Sequence, residues 1–253
     1  ARIGYMLFDT WDRVRFIRAQ DLITVLDNHD RDLTRKYLKR AAIVVRSGID
    51  ISRFPFIPHN APTGRSIRIL MVGIFFTHRR FEDAIKAVHI LTQSGIACTL
   101  MIIGDPTTNH TYADAIMNLA RNYHLIHAIT FRGRVDEEEL RNAYADHDIF
   151  LFPSHLQSWG LAVFEAMASG LPVIVSKTAG ASEILHNGEN ALIVDPKSPE
   201  QIVDAIKHLS DDSELYIQLS RKGRAFVEQQ VSWERYANTM REIFERARRY
   251  LGK

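Results

Sequence analysis

Residues 156–176, LQSWGLAVFEAMASGLPVIVS, carry a single formal charge, Glu165. A segment so poor in charge is core, and its internal punctuation limits what that core can be. Ile149-Phe150-Leu151-Phe152 is an apolar run closed by Pro153-Ser154, and a polar loop with Gln157, Ser158 and Gly160 follows. Residues 161–169 predict a helix, Gly170-Leu171-Pro172 stops it, and Val173-Ile174-Val175 predicts a second strand. Strand, loop, helix, strand is the repeating unit of a parallel sheet, whose ligands collect at the carboxyl ends of the strands.

Glu165 stands out because carboxylates are almost never fully buried unless paired. Its neighbours one helical turn away are Leu161, Ala162, Ala168 and Ser169, so no partner for its charge lies on the same helix. It either faces water, as an ordinary helix glutamate does, or meets a polar group from elsewhere. The loop ahead of it favours the second reading. Gly160 presents no side chain to obstruct a ligand, and free backbone N–H groups at a helix start attract phosphate. A phosphate there would leave Glu165, one turn on, near adjoining sugar hydroxyls.

The rest of the chain repeats the pattern. Predicted strands at 67–73, 98–103, 128–131, 148–152, 173–175 and 191–194 alternate with helices at 79–94, 112–123, from Asp136, 161–169 and from Ser198, with two more at 213–229 and 232–251. Phe81, Ile85, Val88 and Leu91 share one face of the first of these helices. Asp136 is a cap ahead of Glu137, Glu138 and Glu139, and Ser198-Pro199-Glu200-Gln201 reads as a capping box with proline in the first turn. Six strands in this rhythm imply an α/β fold with a doubly wound, parallel, Rossmann-like sheet. Residues 1–64 hold only two short apolar runs, 22–26 and 42–45, around a charged helical stretch at 30–40. That is too little for a core, so they are expected to be the remnant of a second, N-terminal domain plus its linker. Residues 65–230 are then the sheet domain, and 231–253 a terminal helix.

With 46% hydrophobic and 25% charged residues, the composition suits a globular core, and a net charge of +2 gives no case for nucleic-acid binding. Residues 221–253 hold nine Lys/Arg against four Glu, a solvated face or a contact for phosphate-bearing membrane. The lone cysteine, Cys98, sits in an apolar run and excludes a disulfide framework. No apolar run has membrane-spanning length and no signal peptide opens the chain, which makes the cytoplasm the expected location, with peripheral membrane association as an addition.

Three strand ends place glycine beside basic or polar groups. They are Gly73 with Arg79 and Arg80, Gly133 with Arg132 and Arg134, and the Gln157–Gly160 loop. Cations disfavour helix starts, so an arginine pair just inside a helix suggests a clamped anion, against the alternative of two solvated side chains. His78 and His155 fall near the same edge and are read as surface residues. The dinucleotide and P-loop glycine fingerprints are absent, and His and Cys spacings give no metal site.

Together, Pro153-Ser154, the Gln157–Gly160 loop, Phe164-Glu165-Ala166-Met167-Ala168-Ser169-Gly170 and Pro172-Val173-Ile174 resemble the signature of the family 4 (group 1) retaining glycosyltransferases. These have the GT-B fold, two Rossmann-like domains facing across a cleft. Ser47-Gly48-Ile49-Asp50, Ala179-Gly180-Ala181-Ser182-Glu183 and Ser232-Trp233-Glu234 extend the likeness in the expected order. The resemblance implies that Glu165 binds the nucleotide ribose, Gly160 and Leu161 hold the diphosphate through main chain, and the Gly133-Arg134-Val135 loop reads the base. Gly73 opens the other diphosphate loop, where Arg79 matches the family lysine and Gly73-Ile74 stands in place of glycine-arginine, leaving Arg80 as the substitute second cation. Gln157 replaces the family glutamate facing the donor sugar, which removes a negative charge. Gln157 and Arg79 are the catalytic candidates on this reading.

The resemblance implies transfer, with retention, from a nucleoside-diphosphate sugar to a glycan, lipid or small-molecule acceptor, without a metal or resident cofactor. A non-catalytic nucleotide-sugar-binding subunit and a GT-B sugar-nucleotide epimerase are the alternatives.

Overall fold

The computed structural model describes residues 22–250. Residues 1–21 of the expected 1–64 segment and residues 251–253 lie outside the described residues. The first elements among the described residues are β1 (Thr24–Val25), α1 (Asn28–Leu33, continued by a short π turn) and β2 (Ile43–Val44), the two strands pairing in parallel. Residues 54–66 then run without strand or helix, yet they are anchored. Ile57 N donates to Ser169 O at 3.1 Å, and one Arg224 nitrogen donates to the carbonyls of Phe54 and Ala168, each at 2.7 Å.

The regular part consists of β3 (Ile67–Val72), α2 (Phe81–Gln93), β4 (Cys98–Ile103), α3 (His110–Asn122), β5 (Ile129–Gly133), α4 (Glu137–Asp146), β6 (Ile149–Phe152), α5 (Leu161–Ser169), β7 (Val173–Ser176), β8 (Leu192–Val194), α6 (Pro199–Asp211), α7 (Ser213–Gln230) and α8 (Trp233–Tyr250). All six strands from β3 onward form one parallel sheet in the order β5-β4-β3-β6-β7-β8. β3 and β6 are neighbours, and from them the chain winds outward in opposite directions. Their carboxyl ends therefore frame a crevice no crossover covers, where such sheets bind ligands.

Two apolar clusters cover the two faces. One gathers Phe81, Ile85, Val88 and Leu91 of α2 with Ile67, Ile69, Ile102 and α6 residues; the other gathers Phe150, Phe152, Val163, Phe164 and Met167 with Val173 and Val175. β6 and β7 are buried at every position, as central parallel strands must be. α5 is buried through Val163, Phe164, Ala166, Met167, Ala168 and Ser169, which is the structural reason for its lack of charge. Cys98 is buried, and desolvation pushes its thiol up to about 11, consistent with a reduced core residue.

Two local expectations need correction. The capping box is absent at Ser198, whose side chain makes no capping hydrogen bond; Gln201 instead accepts from Asp195 N at 2.7 Å and donates to its carboxylate at 3.0 Å. The box forms at Asp136, where Oδ1 accepts from Glu139 N and the Glu139 carboxylate accepts from Asp136 N. Nor do Arg79 and Arg80 lie inside a helix. Arg79 ends a 3₁₀ turn, and Arg80 is the residue before α2, with φ 56°. The Arg80 guanidinium reaches forward to the buried Asp83, at 2.8 Å for both bonds, and to Glu82 at 2.6 Å. An acidic first turn, not an anionic ligand, compensates that cation.

Candidate functional site at the switch point

At the carboxyl ends of β3, β4, β5 and β6 lies a cleft of about 720 Å³. β3 contributes Gly73, Ile74 and Arg79; β4 contributes Gly104, Asp105 and Thr108; the β5–α4 turn contributes Arg134 and Val135. The β6–α5 loop and helix contribute Gln157 through Ala162 together with Glu165, and Leu26 and Ser47 close the cleft from the N-terminal segment.

The loop before α5 is set by Gly160. Its φ of 106° is closed to ordinary L residues, and a Cβ there would stand 2.9 Å from the Phe152 ring. Val163 N bonds back to Gly160 O at 3.0 Å, while no capping side chain covers the amides at the start of α5. Those amides open beside Leu161 and Ala162 as donors for an incoming anion.

Arg79 faces them across the cleft. Its guanidinium carbon lies 5.5 Å from the centroid of the Phe152 ring, its Nε is buried without a hydrogen-bond partner, and no carboxylate pairs with it among the described residues. Burial alone lowers its pKa from the usual arginine value, yet a guanidinium stays charged in proteins. A half-buried cation with no carboxylate partner favours the arrival of an anion. Arg134, exposed on the facing wall, is the other cleft cation, and Asp105 opposite it is held by Thr107.

Glu165 lies half-buried in the same cleft as Gly160 and Arg79, and the polar group it meets is Tyr144 of α4, whose hydroxyl donates to Oε2 at 2.9 Å. Desolvation raises the Glu165 pKa, with the Tyr144 hydrogen bond and the Arg53 charge opposing the rise. Gln157 lines the cleft and accepts from Gly180 N through its main-chain carbonyl at 2.7 Å. His78 and His155 stand behind the lining, joined by His155 N to His78 O at 2.7 Å.

The structure thus gathers Gly73, Arg79, Arg134, Val135, Gln157, Gly160, Leu161 and Glu165 around one space. Arg80 is outside it, and Gly133 sits just behind, accepting from Gly104 N through its carbonyl at 2.9 Å. Cleft residues that sequence reasoning did not assign to the site include Leu26, Ser47, Asp105, Thr108 and Leu140, with Tyr144 behind them. The glycine closing β4 signalled Asp105; nothing local signalled Tyr144, which is 21 residues from Glu165. Among the described residues no three His, Cys, Asp or Glu side chains gather as a metal site, and no helix is long and apolar enough to cross a membrane.

Sheet order and cleft define a doubly wound α/β domain with a ligand crevice at its switch point. The chain belongs to the group 1 glycosyl transferases, whose family model matches residues 55–226. It is 28% identical over 206 residues to a glycogen synthase of Mycobacterium tuberculosis, covering 81% of this chain and 49% of that protein. It is also 28% identical over 163 residues to a D-inositol 3-phosphate glycosyltransferase of Rhodococcus erythropolis, covering 64% and 37%. The chain spans half or less of the length of these relatives.

Among solved structures, the C-terminal domain of a group 1 glycosyl transferase from Francisella tularensis is 26% identical with a TM-score of 0.64, covering 73% of this chain and 99% of that one. An Anabaena protein solved with UDP and glucose shares the fold at a TM-score of 0.80 and 16% identity, covering 92% and 66%. The fold is that of the GT-B glycosyltransferases, and the sheet domain is their C-terminal one.

Proposed function

We propose that this chain is the donor-binding half of a glycosyltransferase that moves a sugar, with retention, from a nucleoside-diphosphate sugar to a glycan, lipid or small-molecule acceptor. The observation that carries the reading is the placement of the Glu165 carboxylate in one cleft with the uncapped start of α5 and the unpaired Arg79. A carboxylate accepts from two adjacent hydroxyls, as a ribose offers, while amides and a guanidinium hold a diphosphate. UDP in the Anabaena structure and GDP-mannose in the name of a mycobacterial relative support a nucleoside-diphosphate donor.

In this reading Arg79 and the amides of Leu161 and Ala162 stabilise charge on the departing diphosphate, and Arg134 and Val135 flank the base. Gln157 orients the sugar through its amide. Electrostatic stabilisation of the leaving group carries the rate, since it strengthens as the bond breaks, and neither a metal nor a resident cofactor takes part.

Titration calorimetry with UDP, GDP and ADP tests the assignment. Glu165→Ala is expected to weaken the best of them by about 1.5–3 kcal/mol, the range for a hydrogen bond to a charged group. Unchanged affinity would falsify the ribose role. A nucleotide-sugar-binding module is the second reading, favoured by Gln157 where the resemblance expects glutamate. Donor binding without hydrolysis or transfer to any acceptor tried, unrestored by Gln157→Glu, would establish it.

A further inference from the structure

We infer that Tyr144 is a positioning residue for nucleotide binding: its hydroxyl fixes one oxygen of the Glu165 carboxylate so that the other is presented to the ribose. The inference rests on the ribose role proposed for Glu165 and adds a residue that lies outside the cleft lining. Tyr144 is wholly buried, its ring edge-on to Phe54 at 6.0 Å and tilted against Phe150 at 5.9 Å. A buried hydroxyl needs a partner, and the partner here is Glu165 Oε2 at 2.9 Å. That bond occupies Oε2, and Glu165 itself lines the cleft, so Oε1 is the oxygen left for a ligand.

The direction of the bond is settled by chemistry. Burial and the adjoining carboxylate push the tyrosine pKa well up, so the phenol keeps its proton and donates. Rigid aromatic packing on two sides turns that donor into a fixed point on the back of the carboxylate. A core tyrosine serving stability alone would need an acceptor, but not one on a half-buried carboxylate that opens into the cleft of a donor-binding domain.

Tyr144→Phe removes only the oxygen and keeps the packing. Two ligands are compared by calorimetry across pH 4–8: the nucleoside diphosphate that binds best and its 2′,3′-dideoxy counterpart. Binding to ribose hydroxyls requires the ionised carboxylate, so affinity falls as pH drops through the Glu165 pKa. The tyrosine hydroxyl lowers that pKa, and the Tyr144→Phe variant lacks it, so the acid limb moves to higher pH. The other charges around Glu165 are Arg53, which is bonded to Glu137 of α4, and Arg79, Asp105 and Arg134 of the cleft; all are unchanged in the variant.

Tyr144→Phe is expected to weaken the ribonucleotide about 3- to 10-fold, the worth of one hydrogen bond, and to leave the dideoxy ligand unaffected. Glu165→Gln provides the reference. If it abolishes the preference for ribose while Tyr144→Phe changes neither that preference nor the acid limb, the positioning role is wrong and the ribose reading stands. If Glu165→Gln leaves the preference intact, the ribose reading fails and the inference with it. Should Tyr144→Phe not fold, Glu165→Asp, which keeps the charge but draws it back from Tyr144, is expected to show the same ribose-selective loss; full retention of affinity overturns the inference.

Discussion

Gly160→Ala probes the architecture of the cleft directly, and its cost can be assembled from two terms. At φ 106° an alanine is strained, by about 1–2 kcal/mol on the scale for left-handed L residues. Its Cβ would also stand 2.9 and 3.0 Å from two carbons of the Phe152 ring, which is almost fully buried. Overpacking of that kind costs about 1–3 kcal/mol. Together the loss is about 2–5 kcal/mol, or roughly 4–20 °C in melting temperature for a domain of this size.

Gly133→Ala is the matched control. It has φ 76° and open space where the Cβ would go, so only the strain of about 1–2 kcal/mol applies. Denaturant unfolding of both variants therefore isolates the overlap as a difference of about 1–3 kcal/mol. Because Phe152 also carries Arg79, Gly160→Ala is expected to weaken nucleoside-diphosphate binding as well. Equal stability losses in the two variants would refute the idea that Phe152 and the loop glycine are packed as one unit.

Two further outcomes are expected. Arg79→Gln should move stability and binding in opposite directions: removing a half-buried cation with no carboxylate partner leaves the ligand-free melting temperature equal or higher, while diphosphate affinity falls roughly 10-fold or more, as thermal-shift titration would show. Asp148→Asn should cost about 3 kcal/mol in urea unfolding, near the low end for breaking a buried pair, because the arginines it leaves behind remain about 45% exposed. Asp148 accepts from both Arg65 Nη atoms at 2.7 Å and from Arg68 N at 2.8 Å, and these bonds hold its pKa below the usual carboxylate range. Its folded pKa is depressed, so its contribution is complete above about pH 4 and is lost as pH falls through the folded value. The acid limb of the stability curve should flatten in Asp148→Asn.

Much of this architecture was legible because local chemistry and tertiary environment agree. Apolar runs at 67–72, 98–103, 149–152 and 173–176 predict strands, and the spacing of Phe81, Ile85, Val88 and Leu91 predicts a helix lying on them. Strand order was not in the residues themselves; alternation implies parallel pairing, but β6 beside β3 is a fact of packing. Reading Arg79 and Arg80 as a pair failed because adjacency in sequence says nothing about direction. A left-handed residue between a 3₁₀ turn and α2 sends one guanidinium to Asp83 and leaves the other without a carboxylate partner in the cleft.

The sequence by itself left a lone carboxylate in a nearly chargeless helix two fates, facing water or meeting a polar group from another element, because burial of an unpartnered charge is too unfavourable to persist. Only the tertiary structure decided which group that is. Tyr144 comes to Glu165 because α4 and α5 pack together and the Phe54 and Phe150 rings fix the phenol, contacts set by the winding of the sheet rather than by any local pattern of residues.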